Sequence, residues 1–202
     1  MKKPLFPAVF LDRDGTLIHD RPGHYLSDPA KLRLYKNTIP ALRLLRKLGF
    51  RLFIVTNQSG IARGYFTRAT AEKVNARLEK LLAAGGARID ETAYCPHGPN
   101  DGCLCRKPLP LMGRKLIKKH NIAAERSFMV GDKTSDMEFG GKLGLKTILL
   151  RTGHGQTQLR KPQALSATGH VSAGILQAAR FIKHEIQDSH NADSHGGAAS
   201  RR

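Results

Sequence analysis

Two aspartates, Asp12 and Asp14 in FLDRDGTL, close a short apolar run and are followed by Gly15 and Thr16. Where a strand passes into a loop, residues i and i+2 share one side of the chain, so both acids can face one bound group. Carboxylates that close repel each other unless a cation or a shared proton intervenes. A magnesium ion meets that need, because its hard oxygen shell suits carboxylates, waters and a substrate phosphate. Asp12 could then attack phosphorus as a nucleophile and form an aspartyl phosphate, while Asp14 protonates the leaving oxygen and later activates water. Taken alone, such a pair also fits a turn or a helix cap.

Phosphoryl transfer asks chiefly for positioning and for neutralisation of the phosphate oxygens. Thr56 offers a hydroxyl after the run RLFIV, and Lys107 offers a positive charge from a loop. Pro108 behind Lys107 favours extended backbone there and a helix starting just beyond. A solvated surface lysine is the ordinary alternative for Lys107. Asp132 and Asp136 in VGDKTSD add an acidic ligand position and a second acid one helical turn later.

All three cysteines fall in CPHGPNDGCLC, which spaces them as Cys95-x-His97-x5-Cys103-x-Cys105. Three thiols and one imidazole match a tetrahedral structural zinc site in type and number. With four protein ligands the metal has no open position for catalysis, and its effect is to stiffen a loop that ends at Arg106 and Lys107. Free or redox-active thiols are the alternative. No cysteine remains for a disulfide, which fits a reducing compartment.

These residues need elements to hold them. The runs 8–11, 51–55, 91–94, 127–130 and 146–150 have strand length and strand composition, and helical patterns lie at 39–48, 68–84, 109–120 and 134–143. Thr38 is placed to cap the first helix, with Gly49, Gly85 and Gly144 where helices should stop. Strand and helix in alternation predict an α/β doubly wound parallel sheet with right-handed crossovers. Such sheets bind ligands at the carboxyl ends of their strands, where Asp12, Asp14, Thr56, Asn57, Cys95, His97 and Asp132 fall. No insertion is long enough for a separate cap domain, and residues 154–170 give little pattern.

The 202 residues fit one domain, expected over 1–186, and the tail 187–202 lacks the apolar periodicity to pack and is expected to be disordered. Its histidines read as solvated linker. The start MKKPLFPAVFLDRDG superficially resembles a signal peptide, but two prolines and the aspartates interrupt it, and no apolar run approaches a membrane span. A cytoplasmic protein without a membrane partner is expected, with a monomer as the expected assembly. The net charge of +18 attracts anions, phosphorylated metabolites and nucleic acid alike, or reflects a general surface bias. Aromatic residues are 6% with no Trp, too sparse a set to stack bases.

In order along about residues 7–153, DRDGT, the Thr of TNQSG, the Lys of CRKP and GDxxxD resemble the four motifs of the haloacid dehalogenase (HAD) phosphatase superfamily. The resemblance implies a HAD-like Rossmannoid fold with Asp12 as nucleophile, Asp14 as general acid and base, and Thr56 and Lys107 as phosphate binders. It further implies magnesium held by Asp12, Asp132 and the Asp14 carbonyl. The cysteine loop is similar to those of two groups, the heptose-bisphosphate phosphatases and the histidinol-phosphate phosphatases. NQSGIARGYFT, VGDKTSDM and LLRTGHG are closer to the heptose group, which implies a sugar phosphate of lipopolysaccharide core heptose biosynthesis. By that resemblance Asp20, Asn57, Gln58, Ser59, Arg106 and Lys133 contact the substrate, with Arg63 as a second-phosphate contact. After Asp20 the family's substrate loop is not matched, since Arg21, Pro22 and His24 differ in composition. A histidinol-phosphate phosphatase is the first alternative, and a DNA 3'-phosphatase, which shares the same four motifs, is a further one.

Overall fold

The computed structural model of the chain describes residues 4–20 and 25–196, so Arg21, Pro22 and His24 of the first substrate loop lie outside the described residues. Strands β1 (Ala8–Leu11), β2 (Arg51–Asn57), β3 (Glu91–Cys95), β4 (Phe128–Gly131), β5 (Lys146–Leu150) and β6 (His170–Ser172) form one sheet in the order β3-β2-β1-β4-β5-β6. Every neighbouring pair is parallel. The chain runs outward from β1 to β3, then restarts at β4 on the other side of β1. This reversal opens a crevice above the carboxyl ends of β1 and β4, the usual ligand position of open α/β sheets.

Helices α1 (Thr38–Lys47), α2 (Arg68–Ala84), α3 (Leu111–His120), α4 (Thr134–Lys142), α5 (Gly155–Gln158), α6 (Pro162–Ser166) and α7 (Ile175–Gly196) connect or cover the strands. Alternation along the central strands feeds two cores. Val9, Leu11, Leu52 and Ile54 meet α1, α2 and α7, whereas Ala8, Phe10, Phe53 and Val55 meet α3 and α4. Because helices cover both faces, AVFL is buried throughout, as central parallel strands require.

Local departures from the sequence reading have tertiary causes. Asn37 occupies the cap position of α1, and the Thr38 hydroxyl instead donates to the Leu17 carbonyl at 2.8 Å. Gly85 caps the end of α2 as expected, and Gly86, with φ +74°, carries the left-handed turn that follows. Helix α3 begins at Leu111, two residues later than expected, because Pro110 takes its cap position. Strand β4 starts at Phe128; Ser127 before it ties Ala8 to Ala123 through its hydroxyl. Residues 154–170 supply α5, α6 and the start of β6. Helix α7 packs on α1 through Ile175, Ala178, Ala179 and Ile182 and continues to Gly196, into the segment expected to be disordered. A helix so anchored propagates by one hydrogen bond per added residue. Residues 197–202 of that tail lie outside the described residues. Among the described residues, no helix is long and apolar enough to cross a membrane.

Candidate active site

Asp12 follows β1 directly and is 4% exposed. Its Oδ1 accepts from Lys107 Nζ at 2.9 Å, and the same ammonium donates to the Val55 carbonyl at 2.6 Å and lies 2.6 Å from Asp136 Oδ1. The contact with Asp136 Oδ1 is an ion pair without hydrogen-bond geometry. Burial opposes the charge of Lys107, but Asp12 and Asp136 outweigh it and hold its pKa above the ordinary lysine value. Burial likewise works against ionised Asp12, but Lys107 and Lys133 win and keep its carboxyl below the usual range. Asp136, also fully buried, is pushed up by burial against the pull of Lys107. Its Oδ2 accepts from the Lys133 amide at 3.0 Å and so caps α4.

Asn57 fixes the backbone that carries Lys107. Its Nδ2 donates to the Lys107 carbonyl and its Oδ1 accepts from the Lys107 amide, each at 3.0 Å. The side-chain amide expected to contact the substrate is therefore occupied in holding the lysine loop.

Asp132 is 0% exposed, and burial pushes its pKa up to about 7, with Lys133 opposing and Asp12 and Asp136 adding to the rise. Gly15, at φ +84°, and Gly153, at φ +53°, press backbone against it, and a Cβ at either position would run into its carboxylate. The His154 amide donates to Asp132 Oδ2 at 2.7 Å. One oxygen each of Asp12, Asp132 and Asp136 lies within a 4.8 Å cluster that could hold a metal ion.

Lys133 tests that site with its own charge. Its Nζ lies 3.1 Å from Asp132 Oδ1, 3.3 Å from the Asp14 carbonyl, 3.7 Å from Asp12 Oδ2 and 3.9 Å from Asp20 Oδ2. Burial disfavours the ammonium, yet Asp12, Asp132 and Asp136 raise its pKa above the ordinary value. A cation thus already sits where two carboxylates and a carbonyl converge, and oxygen donors of this kind suit magnesium.

Above this floor is a cavity of about 370 Å3. Asp12, Asp14, Asp20, Thr56, Asn57, Gln58, Ser59, Arg106, Lys107 and Lys133 all line it, so the expected catalytic residues and all but one of the expected substrate contacts reach one place. Arg63 does not; it lies exposed on the turn before Tyr65. The cavity also takes Arg13, Tyr25, Leu26, Ser135 and His154, which the reading of the sequence did not assign to the site. His154 Nε2 lies 3.2 Å from Asp20 Oδ2, and Tyr25 Oη lies 3.3 Å from Ser59 Oγ. LLRTGHG contains His154, so that residue had a signal in the sequence; Tyr25 had none.

The sequence and the fold are similar to those of known proteins. A HAD-hydrolase-like family model matches residues 104–177. The D-glycero-beta-D-manno-heptose-1,7-bisphosphate 7-phosphatase of Pasteurella multocida is 41% identical over 183 residues, covering 87% of this chain and 96% of that protein. The protein of the same name from Pseudomonas putida is 39% identical over 153 residues, 76% of this chain and 87% of its own length. The chain belongs to the heptose-bisphosphate 7-phosphatase family of HAD-like hydrolases. A crystal structure of the D,D-heptose 1,7-bisphosphate phosphatase of B. bronchiseptica with magnesium and phosphate superimposes with a TM-score of 0.82 at 30% identity, covering 89% of this chain and 99% of that one.

In this member of the family the cysteine loop leaves β3 and returns to the active site. Cys95 Sγ lies 3.2 Å from Cys105 Sγ and 3.7 Å from Cys103 Sγ, and His97 Nδ1 lies 3.2 Å from Cys105 Sγ. A tetrahedral ion with Zn–S bonds of about 2.3 Å sets sulfur atoms about 3.8 Å apart, so the four groups are gathered at close to that scale. Burial, with the neighbouring thiols adding, pushes the Cys95 thiol up to about 12, a burden a cation would relieve. Arg106 Nη1 donates to the His97 carbonyl at 3.2 Å and ties the loop to the cavity wall.

Proposed function

We propose that the chain hydrolyses the 7-phosphate of D-glycero-D-manno-heptose 1,7-bisphosphate through an aspartyl phosphate on Asp12. The supporting observation is the Asp12 carboxylate, held at the cavity floor by buried Lys107 beside a cluster of oxygens that already gathers a cation. The relatives that align over most of this chain are named for this reaction.

An oxygen of Asp12 attacks phosphorus as the bond from phosphorus to the sugar oxygen breaks, and Asp14 delivers a proton to that oxygen. Water then attacks the acyl phosphate, Asp14 accepts its proton, and phosphate and free Asp12 result. Lys107 and the Thr56 hydroxyl hold phosphate oxygens, and Asp20, Ser59 and Arg106 face the sugar and its second phosphate. Asp12, Asp132 and the Asp14 carbonyl would hold magnesium, which would supply positive charge against the phosphate oxygens.

Purified protein with magnesium, offered heptose 1,7-bisphosphate and histidinol phosphate separately, is expected to favour the heptose by about 100-fold or more in kcat/KM, about 2.7 kcal/mol of transition-state discrimination. Equal or reversed preference would remove the sugar assignment and leave the phosphatase chemistry.

Zinc in the Cys95, His97, Cys103, Cys105 cluster fits the same reading, as a structural ion that fixes the approach of Arg106 and Lys107. Cys103→Ser with Cys105→Ser is expected to lose one zinc per chain by elemental analysis and to lower Tm by about 10 °C. Full zinc retention in that variant would rule the site out.

A further inference from the structure

Arg13, the residue between the two aspartates, is 1% exposed and heads the largest fully buried side chains among the described residues. A guanidinium taken out of water is costly unless its charge is paired and its donors are used. Here they are used. Nε donates to Asp14 Oδ2 at 3.1 Å and Nη2 to Asp14 Oδ1 at 3.2 Å, a two-point grip on the carboxylate. Nη2 also donates to Gln58 Oε1 at 2.8 Å, and Nη1 donates to Asn75 Oδ1 at 2.7 Å.

The two amides have different positions. Gln58 follows β2, and its Nε2 donates to Asp14 Oδ2 at 2.8 Å and to Thr56 Oγ1 at 2.9 Å. Asn75 is a buried residue of α2 that does not line the cavity. Its contact to the catalytic groups is through Arg13. The grip also separates the two ends of Asp14: the carbonyl faces the Lys133 ammonium at 3.3 Å, while the carboxylate turns to Arg13. An unheld carboxylate so close to that cation position would be drawn toward it by simple attraction.

We propose that Arg13, locked by Asn75, is the positioning residue for Asp14, aiming its carboxylate at the leaving-group oxygen and keeping it off the cation site. This rests on the proposed acid and base role of Asp14. A general acid matters most when the departing oxygen needs a proton. Loss of aim should therefore slow transfer from a sugar phosphate and spare transfer from p-nitrophenyl phosphate, whose phenolate leaves unaided. The value of kcat/KM reports this first phosphoryl transfer without the later hydrolysis of the acyl phosphate.

The experiment compares kcat/KM for heptose 1,7-bisphosphate and p-nitrophenyl phosphate in full-length Arg13→Lys, Asn75→Ala and Asp14→Asn. An ammonium cannot reproduce the two-point fork, so Arg13→Lys is expected to lose about 100-fold on the sugar phosphate and under about 3-fold on p-nitrophenyl phosphate. Asn75→Ala should show the same bias at about 10-fold, and it serves alone if the buried Arg13 variant does not fold. Equal losses on both substrates in the Arg13 and Asn75 variants, or no loss, would overturn the inference as a merely structural role. If Asp14→Asn shows no bias, the acid role of Asp14 fails and the inference falls with it. Bias in Asp14→Asn alone sinks only the positioning role.

Discussion

Asp12→Asn is expected to lower kcat by about 10^4-fold or more while leaving the protein folded, because the amide retains shape and an acceptor oxygen but is no nucleophile toward phosphorus. Asp12 is nearly buried, and Lys107 donates to one of its oxygens at 2.9 Å. The Asn carbonyl can accept that same bond, so the packing around Lys107 should survive. A kinetic trace of phosphate release tests the first half of the expectation, and a thermal melt tests the second. Rapid acid quench of the wild-type protein during turnover should add one phosphoryl mass to the peptide containing Asp12, and the variant should add none. Turnover persisting in Asp12→Asn would remove the covalent intermediate and leave direct attack by water.

The chemistry was more legible in the sequence than the side-chain network that aims it. Asp12, Asp14, Thr56, Lys107 and Asp132 each fall just after an apolar run or in a short motif, so local spacing alone brings them to one edge of the sheet. Arg13 stands between two of them and reads as a spacer. Its role depends on Asn75, 62 residues away on another element, and no local pattern carries that pairing. Asn57 and Lys133 line the cavity, and each also has protein partners that the sequence does not announce. One holds the Lys107 backbone and the other fills the cation position, and both outcomes follow from tertiary hydrogen bonding that spacing does not encode. In the fold, the three residues of β6 are too few to show a period, and α7 has no motif to mark its start.

The +18 charge also has a partial structural reason. Arg46 and Lys47 end α1, Lys118 and Lys119 end α3, and Lys142 ends α4. Cations there meet the negative ends of the helix dipoles, each contributing some tenths of a kcal/mol at an exposed site. These helices end at the opposite edge of the sheet from the cavity, so this part of the excess charge serves the scaffold rather than the substrate.

Lys107→Met should have the largest effect on stability, because it deletes the ammonium that bridges two buried acids. Lys107 is 3% exposed and bridges Asp12 and Asp136 at 2.9 and 2.6 Å. Removing one partner of a buried ion pair typically costs about 3–5 kcal/mol, mostly from the charge left behind. The pH dependence gives the cause. The raised pKa of Lys107 means its own contribution is fully present below the ordinary lysine value and lost only as pH rises through the folded pKa, so it is constant from pH 5 to 8. In the variant the two acids lose their bridging counter-charge, with Lys133 at 3.7 Å from Asp12 left to offset it, and protonation becomes more favourable, as burial already pushes Asp136 upward. Their ionisation therefore destabilises the variant increasingly as pH rises, and the gap from wild type should be larger at pH 7 than at pH 5 in chemical denaturation. Adding Asp136→Asn to Lys107→Met removes one stranded charge and should recover about half of the lost stability, while kcat/KM stays down by about 100-fold because no ammonium meets the phosphate. A Lys107→Met protein as stable as wild type at pH 7 would mean that the acids are already neutral there, and the charged floor assigned to the site would have to be redrawn.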